Sequence, residues 1–236
     1  MIIRMTNDLR EFTIVLPTRN ESQNIGKFLR SIPKDIKLVV VDASTDDTAE
    51  IILKERSRNT SVIKDYSSVA QARKIGSEFA QTKWLIFTDA DIEFETNYFI
   101  KIFNYNEYDL IYGPKLSVGD YSIYYKLFSH GQYLIDSLGV PAASGSNCII
   151  TKEAYEKSGG FDIELTCNED SELAWRAKQS GHKALYDPKL IVYATDHRRL
   201  EMGMVRKTLH SITRCSLLYF NLLPKRWRGY NWGYWS

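Results

Sequence analysis

Phe12-Thr-Ile-Val-Leu-Pro-Thr-Arg-Asn-Glu21 opens with a run of apolar and β-branched residues and is checked at Pro17. A run of this kind bounded by a breaker predicts a buried strand over 12–16. Glu21 to Ser31 follows, with Ile25, Phe28, Leu29 and then Ile32 at helical spacing. Lys37-Leu-Val-Val-Val41 predicts a second buried strand, ended by Asp42. Ser44-Thr-Asp-Asp47 can then cap a helix running through Ile51 and Ile52 to about Arg58, with Asp46 and Asp47 near its positive end. Val62-Ile63 predicts a short strand, Val69 to Ala80 a helix, and Trp84-Leu-Ile-Phe87 a fourth strand ending at Thr88-Asp89-Ala90-Asp91. Strand and helix in strict alternation predict an α/β fold, a mostly parallel sheet with helices on both faces.

Such sheets bind ligands beyond the carboxyl ends of their strands. Pro17-Thr-Arg-Asn-Glu21, Asp42 and Asp89-Ala-Asp91 all fall there, at three separate strand ends. After Asp91 the pattern loosens. Helices are predicted over Tyr98 to Phe103, Tyr121 to Leu138 (rich in tyrosine), Glu169 to Ser180 and Arg198 to Leu223. Strands are predicted over Asp109 to Gly113, Asn147 to Ile150 and Lys189 to Tyr193. No repeat or linker divides residues 1–197, which are read as one domain; residues 198–236 are read as a basic, aromatic, helical extension.

The 236 residues are 44% hydrophobic and 25% charged, which excludes a disordered or fibrous chain. The three cysteines, Cys148, Cys167 and Cys215, lie far apart, so neither a disulfide framework nor a Cys-rich zinc site is expected, and a reducing compartment fits. Arg4, Asp8, Arg10, Glu11 and Arg19 interrupt the first 20 residues, where a signal peptide would need an apolar core. No stretch reaches the ~18 apolar residues of a spanning helix. The expected location is cytoplasmic, with the inner face of the cell membrane as an alternative.

The net charge of +2 hides an asymmetry. Arg198 to Ser236 holds eight basic residues and one acid, a balance of +7, which leaves −5 for residues 1–197. The acidic body argues against nucleic acid as a partner. Trp227, Trp232 and Trp235, with Tyr219, Phe220, Tyr230 and Tyr234, interleave with the basic residues of the extension. That pattern suits the interface of an anionic membrane. It equally suits packing on the acidic body or a contact between copies of the chain, as in a homo-oligomer.

Asp89-Ala-Asp91 places two carboxylates just past a buried strand, hard oxygen donors suited to Mg²⁺ or Mn²⁺. An ion held there can neutralise the charge of a departing diphosphate. Asn168-Glu169-Asp170 opens a helix; the acids there serve either as caps or as a general base. His197 follows the last predicted strand and is either a metal ligand or a structural histidine. Arg73 and Lys74 face either a phosphate or solvent. Tyr121, Tyr124, Tyr125 and Tyr133 belong to the core or stack on a sugar.

Five stretches in this order resemble the family 2 glycosyltransferases of the GT-A, Rossmann-like fold: Phe12 to Glu21, Val39 to Thr48, Thr88 to Asp91, Ser158-Gly-Gly-Phe-Asp162, and Asn168 to Arg176. The resemblance spans about residues 12–197. It implies metal-dependent, inverting transfer of a sugar from a UDP- or GDP-linked donor to a hydroxyl acceptor; the membrane reading of the extension would make that acceptor lipid-linked. It implies that Pro17, Arg19 and Glu21 line the nucleotide pocket, that Asp42 contacts the base and that Arg73 lies near the nucleotide. It further implies that Asp89 approaches the ribose or the metal, that Asp91 binds the metal with His197 nearby, and that Gly145, Ser146 and Asn147 flank the donor sugar. By the same resemblance Asp170 matches the catalytic base, with Glu169 beside it.

Three departures stand out. The loop at Asp42-Ala-Ser-Thr is shorter than the common Asp-Asp-Gly-Ser-Thr, which weakens the base contact. Lys74 stands where asparagine is common. The Gln-x-x-Arg-Trp motif of processive synthases is absent, which favours single transfer. Two other readings compete: a sugar-nucleotidyltransferase, disfavoured because Pro17-Thr-Arg-Asn20 has no glycine-rich loop, and a non-catalytic sugar-nucleotide-binding or scaffold module, disfavoured by Asp89, Asp91 and Asp170.

Overall fold

The structure is a computed structural model that describes residues 8–230. Arg4, Trp232, Tyr234 and Trp235 of the sequence reading lie outside the described residues. In chain order the elements begin with β1 (Phe12–Thr18), α1 (Ile25–Ser31), β2 (Lys37–Asp42), α2 (Thr48–Glu55), β3 (Thr60–Lys64), α3 (Val69–Phe79) and β4 (Trp84–Phe87). There follow β5 (Ile92–Phe94), α4 (Tyr98–Lys101), β6 (Leu110–Tyr112), β7 (Lys115–Leu116), α5 (Ser122–Ser137), β8 (Cys148–Thr151) and α6 (Lys152–Lys157). The chain continues through α7 (Glu169–Gln179), β9 (Ala184–Tyr186), β10 (Val192–Ala194), α8 (Arg198–Glu201), α9 (Met204–Tyr219) and α10 (Lys225–Arg228).

The main sheet has seven strands in the order β3-β2-β1-β4-β8-β6-β9, and a second sheet has three in the order β5-β10-β7. In the main sheet every pairing is parallel except the two made by β8. Strand alternation sorts the core into two layers. Phe12, Ile14 and Leu16 of β1, with Trp84 and Ile86 of β4 and Ile149 of β8, face one layer. Val15, Leu85, Phe87, Cys148 and Ile150 face the other. Both faces are apolar because both are covered by helices, which explains the unbroken apolar runs of β1, β2 and β4.

Several boundaries differ from the sequence reading. The helix expected from Glu21 starts only at Ile25, because Glu21 to Asn24 form a turn, with Asn24 N donating to Glu21 O at 2.9 Å. The strand expected over Lys189 to Tyr193 is instead Val192–Ala194; Leu190 N closes a turn onto Asp187 O at 3.1 Å, so the chain cannot be extended there. The single helix expected from Arg198 is three, broken at Gly203, whose φ of 133° no helix accepts, and again before Pro224. All three cysteines are free thiols. Among the described residues no helix is long and apolar enough to cross a membrane.

The C-terminal helices pack on the body. Arg214, buried on α9, donates to the carbonyls of Cys167, Trp227, Arg228 and Tyr230, at 3.3, 2.6, 2.5 and 3.1 Å. Trp175 of α7 meets Tyr219 with ring centroids 5.2 Å apart, and Arg228 pairs with Asp162.

Helix α3 approaches β1 and β2 closely through Gly76. A Cβ there would lie 2.5 Å from Val15 Cγ1 and 3.5 Å from Val41 Cγ2. Alanine would gain about 1 kcal/mol in helix propensity. A methyl group driven into a β-branched core residue costs about 1–3 kcal/mol and outweighs that gain. Gly76→Ala is therefore expected to lower the urea midpoint of unfolding with an unchanged m-value.

Candidate active site

The parallel register brings the strand ends to one edge. Thr18, the last residue of β1, pairs with Asp42, the last of β2, and Val15 pairs with Phe87, the last of β4. Pro17 to Glu21, Asp42 and Asp89 to Asp91 thus emerge side by side. Thr195 N donates to Asp91 O at 2.8 Å, which draws the segment after β10, with Asp196 and His197, to the same place.

At the centre lies Arg73, almost wholly buried on α3. Its Nη1 donates to Glu169 Oε1, and its Nη2 donates to Asp89 Oδ1 at 2.7 Å. The guanidinium sits 5.9 Å from the centroid of the Phe161 ring, and a Cβ on Gly145 would come within 2.4 Å of it, so a side chain there would displace the guanidinium. Burial alone would lower the pKa of Arg73, but the charges of Asp89, Glu169 and Asp170 outweigh it and raise it. Glu169 is itself buried, and burial pushes its carboxyl upward against the opposing pull of Arg73.

Asp170 takes a different position. It stands in the first turn of α7, after Asn168 with φ of 61°, and is only part-buried. Its Oδ2 accepts from Gly145 N at 2.5 Å, and its Oδ1 accepts from Ser171 N at 2.7 Å. Ser171 Oγ donates to Ala143 O at 2.9 Å, and Thr88 Oγ1 donates to Ser146 O at 3.0 Å. The loop of residues 143–147 is thereby clamped between α7 and the end of β4. Ser146 Oγ closes the circuit by donating to Asp89 Oδ2 at 2.5 Å.

The residues around Asp42 and Glu21 form a second cluster. Asp42 is fully buried and accepts from Thr18 Oγ1 at 2.7 Å, Ser44 Oγ at 2.5 Å and Lys64 Nζ at 2.8 Å. Burial would raise its pKa; those hydrogen bonds prevail and hold it below the usual range. Asn20, with φ of 55°, binds Ser44 Oγ through its N–H and accepts from Thr45 N, both at 2.9 Å. Glu21 accepts from Arg198 Nη2 and Asn24 Nδ2, both at 2.8 Å, and burial raises its pKa despite both partners. Pro17 is part-buried and Arg19 exposed at the mouth of this region.

Asn147 and His197 each have fixed partners of their own. Asn147 is fully buried, accepts from Tyr98 OH and donates to Leu190 O, each at 2.7 Å, and so ties three segments beneath the site. His197 is enclosed by aromatic rings. Its Nδ1 lies 3.4 Å from Tyr125 OH and its Nε2 3.4 Å from Ser117 Oγ, with the Tyr121 ring centroid 5.4 Å away. Two basic residues escaped the sequence reading, Lys64 on Asp42 and Lys115 on Asp91 at 3.1 Å, while Arg198 of the basic extension pairs with Glu21 of the body. Lys64 was within reach, since it ends β3 in register with Asp42. Lys115 lies on a strand of two residues that carries no periodicity.

Among the described residues no three His, Cys, Asp or Glu side chains form a group that could hold a metal by themselves. Mg²⁺ does not require one, since it draws on one or two carboxylates and otherwise on phosphate oxygens and water. Asp91 suits such an ion: its carboxylate stands at the strand end, and the ammonium of Lys115 beside it shows a position that favours a cation. Asp89, held by Arg73 and Ser146, frames that position.

The model of Glycosyl transferase family 2 matches residues 13–159. A 4,4'-diaponeurosporenoate glycosyltransferase of Staphylococcus aureus is 30% identical over 177 residues, 64% of this chain and 46% of that protein. The chain spans less than half the length of the first curated relatives it matches. Among solved structures, S. aureus TarS 1–349 in complex with UDP-GlcNAc superposes with a TM-score of 0.65 at 17% identity, over 92% of this chain and 72% of that one. The mannosyltransferase PcManGT of Pyrobaculum calidifontis, in complex with GDP-Man and Mn²⁺, gives 0.66 at 19%, over 94% and 73%. At such identities the likeness establishes the fold, which is GT-A.

Two outcomes follow from the charges. Arg73→Met leaves buried carboxylates without their counter-charge and is expected to cost about 3 kcal/mol or more in urea unfolding. Arg73→Lys is not expected to restore it, because an ammonium cannot fork to two carboxylates, whereas adding Glu169→Gln to Arg73→Met is expected to recover part of the loss. Asp42, held low in the folded state, stabilises the protein above its unfolded value of about 3.9, and that contribution disappears as the pH falls below it. Asp42→Asn is expected to flatten the stability profile as the pH falls through and below about 3.9, read by denaturant titration at each pH.

Proposed function

The chain belongs to glycosyl transferase family 2, and on that premise we propose that it transfers a sugar from a nucleoside diphosphate to a hydroxyl acceptor in one displacement, with inversion at the anomeric carbon. The observation that carries this reading is the circuit from Asp89 through Arg73 to Glu169 and from Ser146 and Gly145 to Asp170, which gathers a donor-side acid and a base-bearing helix around one strand edge. The solved relatives with UDP-GlcNAc or GDP-Man support a donor of that class here.

Each side chain then has a role. Asp170, part-buried at the opening of α7, takes the proton from the acceptor hydroxyl. The oxygen forms its bond to the anomeric carbon while the bond to the diphosphate breaks on the opposite side, and the diphosphate leaves with the electron pair. Glu169 is turned inward onto Arg73, so it balances charge and leaves the proton transfer to Asp170. Pro17, Arg19, Glu21 and Asp42 border the nucleotide; Asp42, saturated by Thr18, Ser44 and Lys64, shapes the wall through those partners. Gly145 and Ser146 flank the donor sugar. Mn²⁺ or Mg²⁺, held by Asp91 with Asp89 and His197 nearby, would neutralise charge on the leaving diphosphate.

The family assignment sets aside the nucleotidyltransferase alternative, and catalysis separates a transferase from a sugar-nucleotide-binding module. Asp170→Asn is expected to lower the rate of nucleoside diphosphate release in the presence of acceptor by about 10²-fold or more. Donor binding, followed as the ligand-induced rise in melting temperature, is expected to persist. Full turnover by that variant would assign the base elsewhere, and absence of turnover in the wild type with UDP- and GDP-sugars and Mn²⁺ would favour the binding module.

A further inference from the structure

Helices α5 and α9 lie against each other: Tyr124 OH is 3.1 Å from Thr208 Oγ1, and Lys207 Nζ stands 5.5 Å from the centroid of the Tyr124 ring and 5.9 Å from that of Phe128. Each turns an apolar stripe outward. On α5 and its C-terminal cap, Ile123, Leu127, Leu134 and Leu138 recur at helical spacing and are 61% to 82% exposed. On α9, Val205, Leu209 and Ile212 do the same at 56% to 67%. Phe220, Trp227 and Tyr230 are exposed just beyond. An apolar surface of this extent, spread over two neighbouring helices, marks an interaction site.

Its charge identifies the partner. Helix α9 has no acid, and the acid on α5, Asp136, accepts from Tyr112 OH at 2.5 Å and so faces the body. Around the stripes stand the exposed or part-exposed bases Lys126, Arg206, Lys207, Lys225 and Arg226. Beside the face stand the exposed acids Asp120 and Glu201, fewer than the bases, so two copies of it would still bring an excess of like charge together. An anionic bilayer answers both features, since apolar side chains enter the headgroup boundary and cations remain among the phosphates. We propose that α5 and α9 together form a face that binds the surface of an anionic lipid bilayer.

The face also lies close to the site. The inner side of α5 presents Tyr125 and Tyr121 to His197. A helix with its side chains is about 10–12 Å across. The bilayer surface would thus lie about one helix thickness from His197, two residues after Thr195, whose N–H bonds to Asp91 O. Resting on the transferase reading, this makes a hydroxyl borne by a lipid the acceptor class.

The test is co-sedimentation of the full chain, without donor, with vesicles of phosphatidylcholine alone or mixed with phosphatidylglycerol. Binding is expected to the mixed vesicles, to weaken with added salt, and to fall by about tenfold or more in Leu127→Asp/Leu134→Asp and, separately, in Leu209→Asp/Ile212→Asp. Circular dichroism and melting temperature verify that these exposed changes leave the fold intact. No binding by the wild type, or full binding by the α5 variant, overturns the proposal. So does a concentration-dependent dimer that the same variants abolish while vesicles fail to bind, which would assign the face to a second copy. Because donor is absent, failure here leaves the transferase reading standing, and failure of donor turnover leaves vesicle binding intact.

Discussion

A single buried guanidinium holds the site together. Acids from β4 and α7 cannot share a low-dielectric region unless something balances their charge, since an isolated buried carboxylate would rather take up a proton than stay ionised. Arg73 supplies that balance with its planar fork, one nitrogen to Glu169 and one to Asp89. The arrangement restricts its neighbours. Gly145 must lack a side chain because the guanidinium occupies the space. Asp170, adjacent to Glu169, then has its direction set by the Gly145 amide it accepts from.

The parallel sheet makes this convergence possible. Strands running the same way deliver their carboxyl ends to one edge, so residues distant in sequence meet without any loop long enough to wander. The smaller sheet adds the remaining wall. Strand β10 pairs antiparallel with β5, and the backbone bond from Thr195 to Asp91 continues that pairing into the site. Lys115, on the other neighbour of β10, then falls beside Asp91.

The parts legible from sequence are those with local signatures. β1, β2 and β4 are unbroken apolar runs because both of their faces are covered, and the acids that follow them needed no further information to be placed on one edge. What was hidden depended on partners far away in the chain. β5 and β7 have three and two residues, too few to show a period, and exist through pairing with β10 far later in the chain. Asn147 sits among the glycine and serine of a site loop, yet strand alternation and Tyr98 turn it into the core. The break at Gly203 was hidden because glycine is tolerated inside a helical pattern, whereas here its φ of 133° separates α8 from α9.

The extension packs on the body by one side and leaves its other side outward. Packing on the body and facing a membrane were alternatives for one helix, but a helix has two sides. Arg214 and Tyr219 on α9 spend their polar groups on carbonyls of the body and of the chain that follows. That fixes α9 in one rotation about its axis, and the rotation leaves Val205, Leu209 and Ile212 outward. Tyr125 does the same for α5, since its place against His197 sets the outward turn of Ile123 and Leu127. The inner contacts therefore determine the outer surface: the side chains that seat these helices on the enzyme also aim their apolar stripes away from it, a coupling that neither helix would have alone.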